Sequence, residues 1–151
     1  MITKEREVLI MYEEYSKQAL PSKKYRELLG AALCVFNSNN SFIIENILRV
    51  DSENYNWFEL IDKTSGNLLP IINETITRVT QNDKISIMFN ELVNTRNRII
   101  HSFQITDKYG NQLLATKEKN GNQYRITEEI LFQFIKKNEI LSSELHKFRG
   151  Y

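Results

Sequence analysis

Residues that interrupt helices are scarce in this chain, which has five glycines and two prolines among 151 residues. Glycine and proline are the strongest local signals for turns and for the ends of helices. Apolar residues at helical spacing fill most of the long stretches between them, which favours long helices. The length suits one domain with one core, so we expect residues 1–151 to form a single, mainly α-helical domain.

Two helices are predicted in the first third of the chain, separated by one of the two prolines. The first runs from about Thr3 to Leu20, with Thr3 in the N-cap position. The second begins after Ser22, which can cap it, and continues with apolar residues at helical spacing. The polar run NSNNS from Asn37 leaves two interpretations open: it either breaks this helix or forms a polar patch on its surface.

Three further helical segments are predicted between residues 51 and 103. A short helix lies around Trp57–Ile61 after a polar loop, and Gly66 is expected to stop it. Pro70 fits the first turn of the next helix, because proline is favoured there. Asp83 then has the character of an N-cap for an amphipathic helix that extends to about Phe103.

The pattern changes after that helix, where two glycine-containing turn signals appear. Gln112–Lys117 and Gln123–Ile126 have β character, and the Asn–Gly pair between them is a typical hairpin turn. Thr127 can cap a last helix, which Gly150 ends. The expected fold is therefore a helical bundle of about five helices with a small β-hairpin inserted before the last one.

Charge and cysteine content narrow the classes of function. Twenty basic and nineteen acidic residues leave a formal charge of +1, whereas proteins that coat nucleic acid without specificity are usually more basic. An enzyme that binds one phosphodiester needs only local positive charge. Cys34 is the only cysteine, which excludes a disulfide within the chain and a cysteine-based zinc site, and we expect it to be a small buried residue.

Several classes of site and location have no supporting pattern. No apolar leader follows the charged start, and no run of about 18 apolar residues occurs, so we expect a soluble cytoplasmic protein without a membrane partner. The glycine-rich loops of nucleotide-binding proteins and the H-E-x-x-H motif are both missing, so no metal site and no cofactor are predicted.

The helix that begins after Asp83 carries an arginine where an apolar residue is expected. At about 100° per residue, one broad face forms a core stripe with Arg96 near its centre. The apolar members of that stripe are Ile85, Met88, Phe89, Leu92, Val93, Ile99, Ile100 and Phe103. Because a buried arginine is unfavourable unless paired, Arg96 either reaches an internal carboxylate or faces something other than the core of its own chain, such as a second copy of the helix.

A polar stripe occupies the other side of the same helix, and it includes Asn97 and His101. These two residues are one turn apart and can touch. Arg96 and His101, however, point roughly 140° apart on an ideal helix. Two crossing helices, each contributing both residues, would bring them together more easily than one straight helix.

The pattern R-N-x-x-x-H from Arg96 to His101 resembles the signature of the HEPN superfamily, in a small helical chain and near the end of an amphipathic helix. The predicted hairpin departs from the common family core. The resemblance implies a helical bundle that usually dimerises and brings its motifs together in a cleft between the two copies. Many such proteins are metal-independent endoribonucleases of toxin–antitoxin or phage-defence systems, whose partners are RNA and, for toxins, an antitoxin. Others are inactive interaction scaffolds.

These residue types suit cleavage of RNA by its own 2′-OH group. His101 from two copies can act as base and acid, because histidine titrates near neutrality. Arg96 can stabilise charge on the phosphate, and Asn97 can orient His101 or bind the phosphate. Arg98 and Lys84 can add attraction for substrate, although an ordinary surface charge is the simpler interpretation of each.

The remaining features have structural explanations that are simpler than the functional ones. His146, the second histidine, is expected on the surface at the end of the last helix. Tyr55, Trp57 and Phe58 form an aromatic cluster that can stack bases, but core packing or a dimer surface is the simpler interpretation. A helix-turn-helix regulator of DNA is the alternative from outside the family, and the missing basic recognition helix counts against it.

Overall fold

The computed structural model describes residues 13–150. Within that range, residues 13–20 form turns and irregular chain, so the predicted helix to Leu20 is wrong there; residues 3–12 of that prediction lie outside the described part. Side-chain contacts with the helix that follows account for this irregular conformation. The guanidinium of Arg26 binds the carboxylate of Glu13, the hydroxyl of Tyr15 and the carbonyl of Pro21, and these contacts hold the segment against the next helix.

The longest helix, α1, spans Lys23–Val50 and begins at Ser22, whose hydroxyl accepts a hydrogen bond from the Tyr25 N–H. It continues through the polar run because two of the three asparagines there, Asn39 and Asn40, have partners inside the fold. The side-chain amide of Asn39 donates to Asn138, and the Asn40 side chain accepts from the Ser65 hydroxyl at 2.8 Å.

Cys34 is exposed on α1, so the prediction that it is buried is wrong. The buried stripe of this helix includes Ala32, Phe36 and Ile43, and a residue two positions from Ala32 and Phe36 points away from that stripe.

A short helix, α2, spans Trp57–Asp62 and is capped by the side chain of Asn56. It is followed by a continuous helical segment over residues 65–80, here called α3. This segment starts as a 3₁₀ turn, Ser65–Leu68, has Pro70 in its first α-helical turn, and contains a π-helical stretch, Asn73–Thr77. It ends before Gln81, which has a left-handed backbone with φ of 54°.

Helix α4 spans Lys84–Ile100 and runs back alongside α3. Asp83 lies at its N-cap position, as predicted, but its side chain makes no capping bond; the side chain of Asn82 accepts from the Lys84 N–H instead.

A three-stranded antiparallel sheet follows, with β1 Phe103–Thr106, β2 Gln112–Lys117 and β3 Gln123–Ile126 in that order. The two predicted strands are confirmed with their bounds. The first strand was not predicted: its first residue, Phe103, was expected at the end of α4, and no element was assigned to residues 104–106. Gly110 and Gly121 take left-handed conformations in the two turns, at φ of 84° and 92°, where a side chain would be strained.

The last helix, α5, spans Glu128–Arg149, with Thr127 as its N-cap and Gly150 as its C-cap. It runs parallel to α1, since Lys24 lies near Glu128 and Phe42 lies against His146. The prediction of a mainly helical fold with a small β element before the last helix is confirmed.

The core lies between α1, α4 and α5, and stacked aromatic rings join the three helices. The ring of Phe36 lies 5.9 Å from that of Phe89 and 6.2 Å from that of Phe134, between ring centroids. All three side chains are buried. This stack positions the surface that carries Arg96.

Candidate functional site

The core stripe of α4 is buried along most of its length and emerges at its end. Ile85, Phe89, Leu92, Val93 and Ile99 are buried, and Met88 is partly buried against them. Ile100 and Phe103, predicted to belong to the same stripe, are instead exposed, with Ile100 at 46%. The prediction of burial is therefore wrong for the last turn, where the core face of the helix meets solvent.

The end of α4 is open because α3 does not extend far enough to cover it. The first turn of α3 lies beside Val93, where Gly66 packs against the Val93 side chain. From there α3 runs towards the start of α4. Arg96, Asn97 and Ile100 lie one to two turns beyond Val93, past the beginning of α3.

Arg96 lies at the centre of this partly open face and has no carboxylate partner among residues 13–150. Its guanidinium carbon lies 4.9 Å from the ring centroid of Phe36, which is a cation–π contact. Its Nε is buried without a hydrogen-bond partner. Burial lowers the pKa of Arg96 below its ordinary range, since a buried cation loses hydration.

Of the two interpretations of Arg96, an internal ion pair is therefore not found in the described part of the chain. A buried N–H without an acceptor costs about 1–3 kcal/mol, and ring contact compensates only part of that. The terminal Nη groups of Arg96, which also lack a partner among residues 13–150 but are not buried, are the donors that a group from outside this part of the chain can reach.

Asn97 and His101 complete the motif on the next positions of the helix. The His101 N–H donates to the Asn97 carbonyl at 3.0 Å, so helical geometry continues up to His101 and the two side chains lie on successive turns. Asn97 is half-buried, and His101 is exposed at the C-cap. Within residues 13–150 the imidazole of His101 has no hydrogen-bond partner.

One copy of the chain thus brings Asn97 next to both Arg96 and His101 but leaves the arginine and the histidine on different sides of α4. Their directions differ by roughly 140° on the helix. The arginine faces the open end of the core, whereas the histidine faces solvent. A single chain therefore presents the parts of the motif without assembling them at one point.

The two predicted substrate-binding cations do not join this cluster in one chain. Arg98 points away from Arg96 and donates from Nη1 to the Lys117 carbonyl at 2.5 Å. Lys84 lies at the other end of α4, about 25 Å from His101 along the axis, and pairs with Glu144 at 3.1 Å. Each of these side chains has a partner within the fold.

The other candidates singled out in the sequence lie elsewhere. His146 is exposed near the end of α5, as expected, with its ring 4.7 Å from that of Phe42. Of the aromatic cluster, Tyr55 is partly buried against the core, whereas Phe58 is 77% exposed and Trp57 36% exposed. Phe36, which holds Arg96, was not predicted as part of the site. Nothing local marks it, since the contact joins α1 to α4 across 60 residues (36 to 96).

No protein-family model, no curated protein and no solved structure matches this chain. Among residues 13–150, none of the helices combines the length and the apolar character needed to cross a bilayer. The same residues contain no group of three or more histidine, cysteine, aspartate or glutamate side chains arranged to hold a metal ion.

Proposed function

We propose that the chain is a metal-independent endoribonuclease of a toxin–antitoxin or phage-defence system. It cleaves RNA through attack of the 2′-OH on the adjacent phosphate, at a site formed between two copies. The proposal rests on the resemblance of Arg96–His101 to the HEPN signature. The observation that carries it is Arg96, a half-buried cation that has no ion-pair partner among residues 13–150 and lies at a partly exposed end of α4.

The charge of Arg96 supports a phosphate ligand. The two Nη groups of Arg96 have no hydrogen-bond partner among residues 13–150 and are not buried like the Nε, and a planar guanidinium can donate to two phosphate oxygens at once. Two copies of Arg96 in one cleft would repel each other, and a phosphate between them removes that repulsion. The transition state carries more charge on the phosphate oxygens, so the same contacts strengthen as the reaction proceeds.

The exposed apolar residues beside Arg96 support the second copy. Ile100 is exposed one turn beyond Arg96 on α4, and Phe103 is exposed at the start of β1, just after the helix. A two-fold contact through these residues would bury both pairs and bring the two motifs together. His101 of one copy then acts as base and His101 of the other as acid, with Asn97 orienting them.

The test is RNA cleavage in the presence of EDTA by wild type, Arg96→Ala and His101→Ala. We expect each variant to lose about 10²–10⁴-fold in rate, the usual contribution of a general acid–base or a charge-stabilising group. Arg49→Ala and His146→Ala are the matched controls, because they remove the same residue types at exposed positions away from the motif. Cleavage that persists in both motif variants contradicts the proposed site.

The composite nature of the site has its own tests. Ile100→Glu should give an inactive monomer in sedimentation, whereas Ile87→Glu, on the other side of α4 and 53% exposed, should stay dimeric and active. If both histidines act together, a co-refolded equal mixture of wild type and His101→Ala keeps about a quarter of the wild-type activity, against about half for independent subunits.

The alternative is a catalytically inactive interaction scaffold with the same fold. The lack of a hydrogen bond that orients His101 within the described chain favours it. Failure of wild type to cleave any RNA while it still dimerises through Ile100 would support this alternative.

A further inference from the structure

The segment 51–62 exposes apolar side chains and is strongly acidic. Trp57, Phe58 and Ile61 lie within a sector of about 100° on α2, while Leu60 points into the core. Phe58 and Ile61 are 77% and 47% exposed. Four carboxylates, from Asp51, Glu53, Glu59 and Asp62, lie in the same twelve residues, which contain no lysine or arginine. We call residues 51–62 the acidic knob.

An open pocket of about 440 Å³ adjoins the acidic knob at Asp51, Asn54 and Tyr55. Glu74 and Arg78 of α3 complete its lining, so two carboxylates face one cation. Asn54 donates to both carboxylate oxygens of Asp51, and the Tyr55 hydroxyl donates to Glu74 at 2.9 Å. These bonds keep both carboxylates in place at the edge of the pocket, where they can receive a cationic side chain.

The sign of the charge selects among possible occupants of the apolar face. RNA and anionic membrane surfaces are repelled by the same carboxylates. A second copy related by a two-fold axis places Glu59 and Asp62 opposite their own counterparts, and like charges across an interface are costly. The remaining occupant is a protein segment with apolar anchors and positive charge.

We propose that the acidic knob is a docking surface for a basic, amphipathic segment of another protein. Apolar side chains of that segment, spaced one helical turn apart, pack on Trp57, Phe58 and Ile61. Its lysines or arginines pair with Glu59 and Asp62, and one of them enters the pocket between Asp51 and Glu74. The surface is on a different helix from Arg96 and does not depend on nuclease activity.

The test is selection of binders to the full chain from a random displayed peptide library. We expect the enriched peptides to combine lysine or arginine with apolar residues and to bind more weakly at higher salt. Trp57 is the only tryptophan in the chain, so its fluorescence reports binding of a tryptophan-free enriched peptide at this surface. Phe58→Ser and Ile61→Ser should each weaken that peptide at least about tenfold, typical for loss of an apolar anchor.

Ile140→Ser is the matched control, because Ile140 is an isoleucine of similar exposure, 54%, on α5. The Ile140→Ser variant should bind the enriched peptide as tightly as wild type does. The double variant Glu59→Lys, Asp62→Lys should enrich acidic peptides instead. Enrichment of the same basic peptides by this charge-reversed variant, absence of any enrichment by wild type, or self-association of wild type that Phe58→Ser abolishes would each overturn the proposal.

Discussion

Replacing Arg96 by methionine should stabilise the fold while it removes the proposed activity. Methionine reaches as far as the Nε position of arginine and can contact the ring of Phe36, but it has no charge and no N–H groups. The substitution therefore removes the buried Nε that lacks an acceptor and leaves the aromatic stack beneath it in place.

The magnitude follows from two opposing contributions. Relief of an unsatisfied buried donor contributes about 1–3 kcal/mol. Loss of the cation–π contact costs about 0.5–1 kcal/mol at a partly exposed site, and contact of the methionine sulfur with the ring recovers part of it. The net gain is about 1 kcal/mol in the free energy of unfolding. In a chain of this size that raises the melting temperature by about 2–4 °C.

The assay is calorimetric unfolding at several protein concentrations, so that an effect on dimerisation is separated from one on the chain itself. Arg78→Met, at an exposed arginine on α3, is the control and should change stability little. A lower melting temperature for Arg96→Met would refute the reasoning. It would show that Arg96 makes a net stabilising contribution to the core. Its burial would then need no ligand to explain it.

Two further predictions concern stability alone. Tyr25→Phe removes the hydroxyl that donates to the Ile126 carbonyl at 2.6 Å and accepts from the Leu114 N–H, so it should lower the free energy of unfolding in urea by about 1–3 kcal/mol. Burial raises the pKa of Tyr25 above its ordinary value of 10.0; its contribution is thus fully present below pH 10 and is lost as the pH rises through the folded-state pKa. The alkaline loss of stability should be smaller in Tyr25→Phe, and an unchanged alkaline slope would contradict this assignment. Gln81→Gly should raise stability by about 0.5–1 kcal/mol, since Gln81 is left-handed; destabilisation would mean that its side chain compensates the strain.

Features controlled by near neighbours in the chain could be predicted from the sequence. The caps at Ser22 and Thr127 and the stop at Gly150 follow from the residues at those positions, and the structure has all three. The same holds for the turn between β2 and β3. Each depends on hydrogen bonds or backbone conformations that span only a few residues.

Features decided by competition between distant partners could not be predicted. Ile100 and Phe103 continue the helical spacing of Ile99, yet Phe103 starts a strand because it pairs with Ala115. The polar run on α1 remains helical because Asn39 meets Asn138, 99 residues away. For the candidate site, periodicity revealed Arg96 as an anomaly, but its contact with Phe36 depends on how α1 and α4 pack.

The parallel arrangement of α1 and α5 also has a consequence for the order of folding. Phe36, Asn39 and Phe42 on α1 face partners on α5 that the ribosome adds about a hundred residues later. During synthesis α3 and α4 can cover part of the apolar side of α1, but the part that packs on α5 stays uncovered until residues 128–149 have emerged. That part of the core is exposed to aggregation and to chaperones for most of the chain's translation.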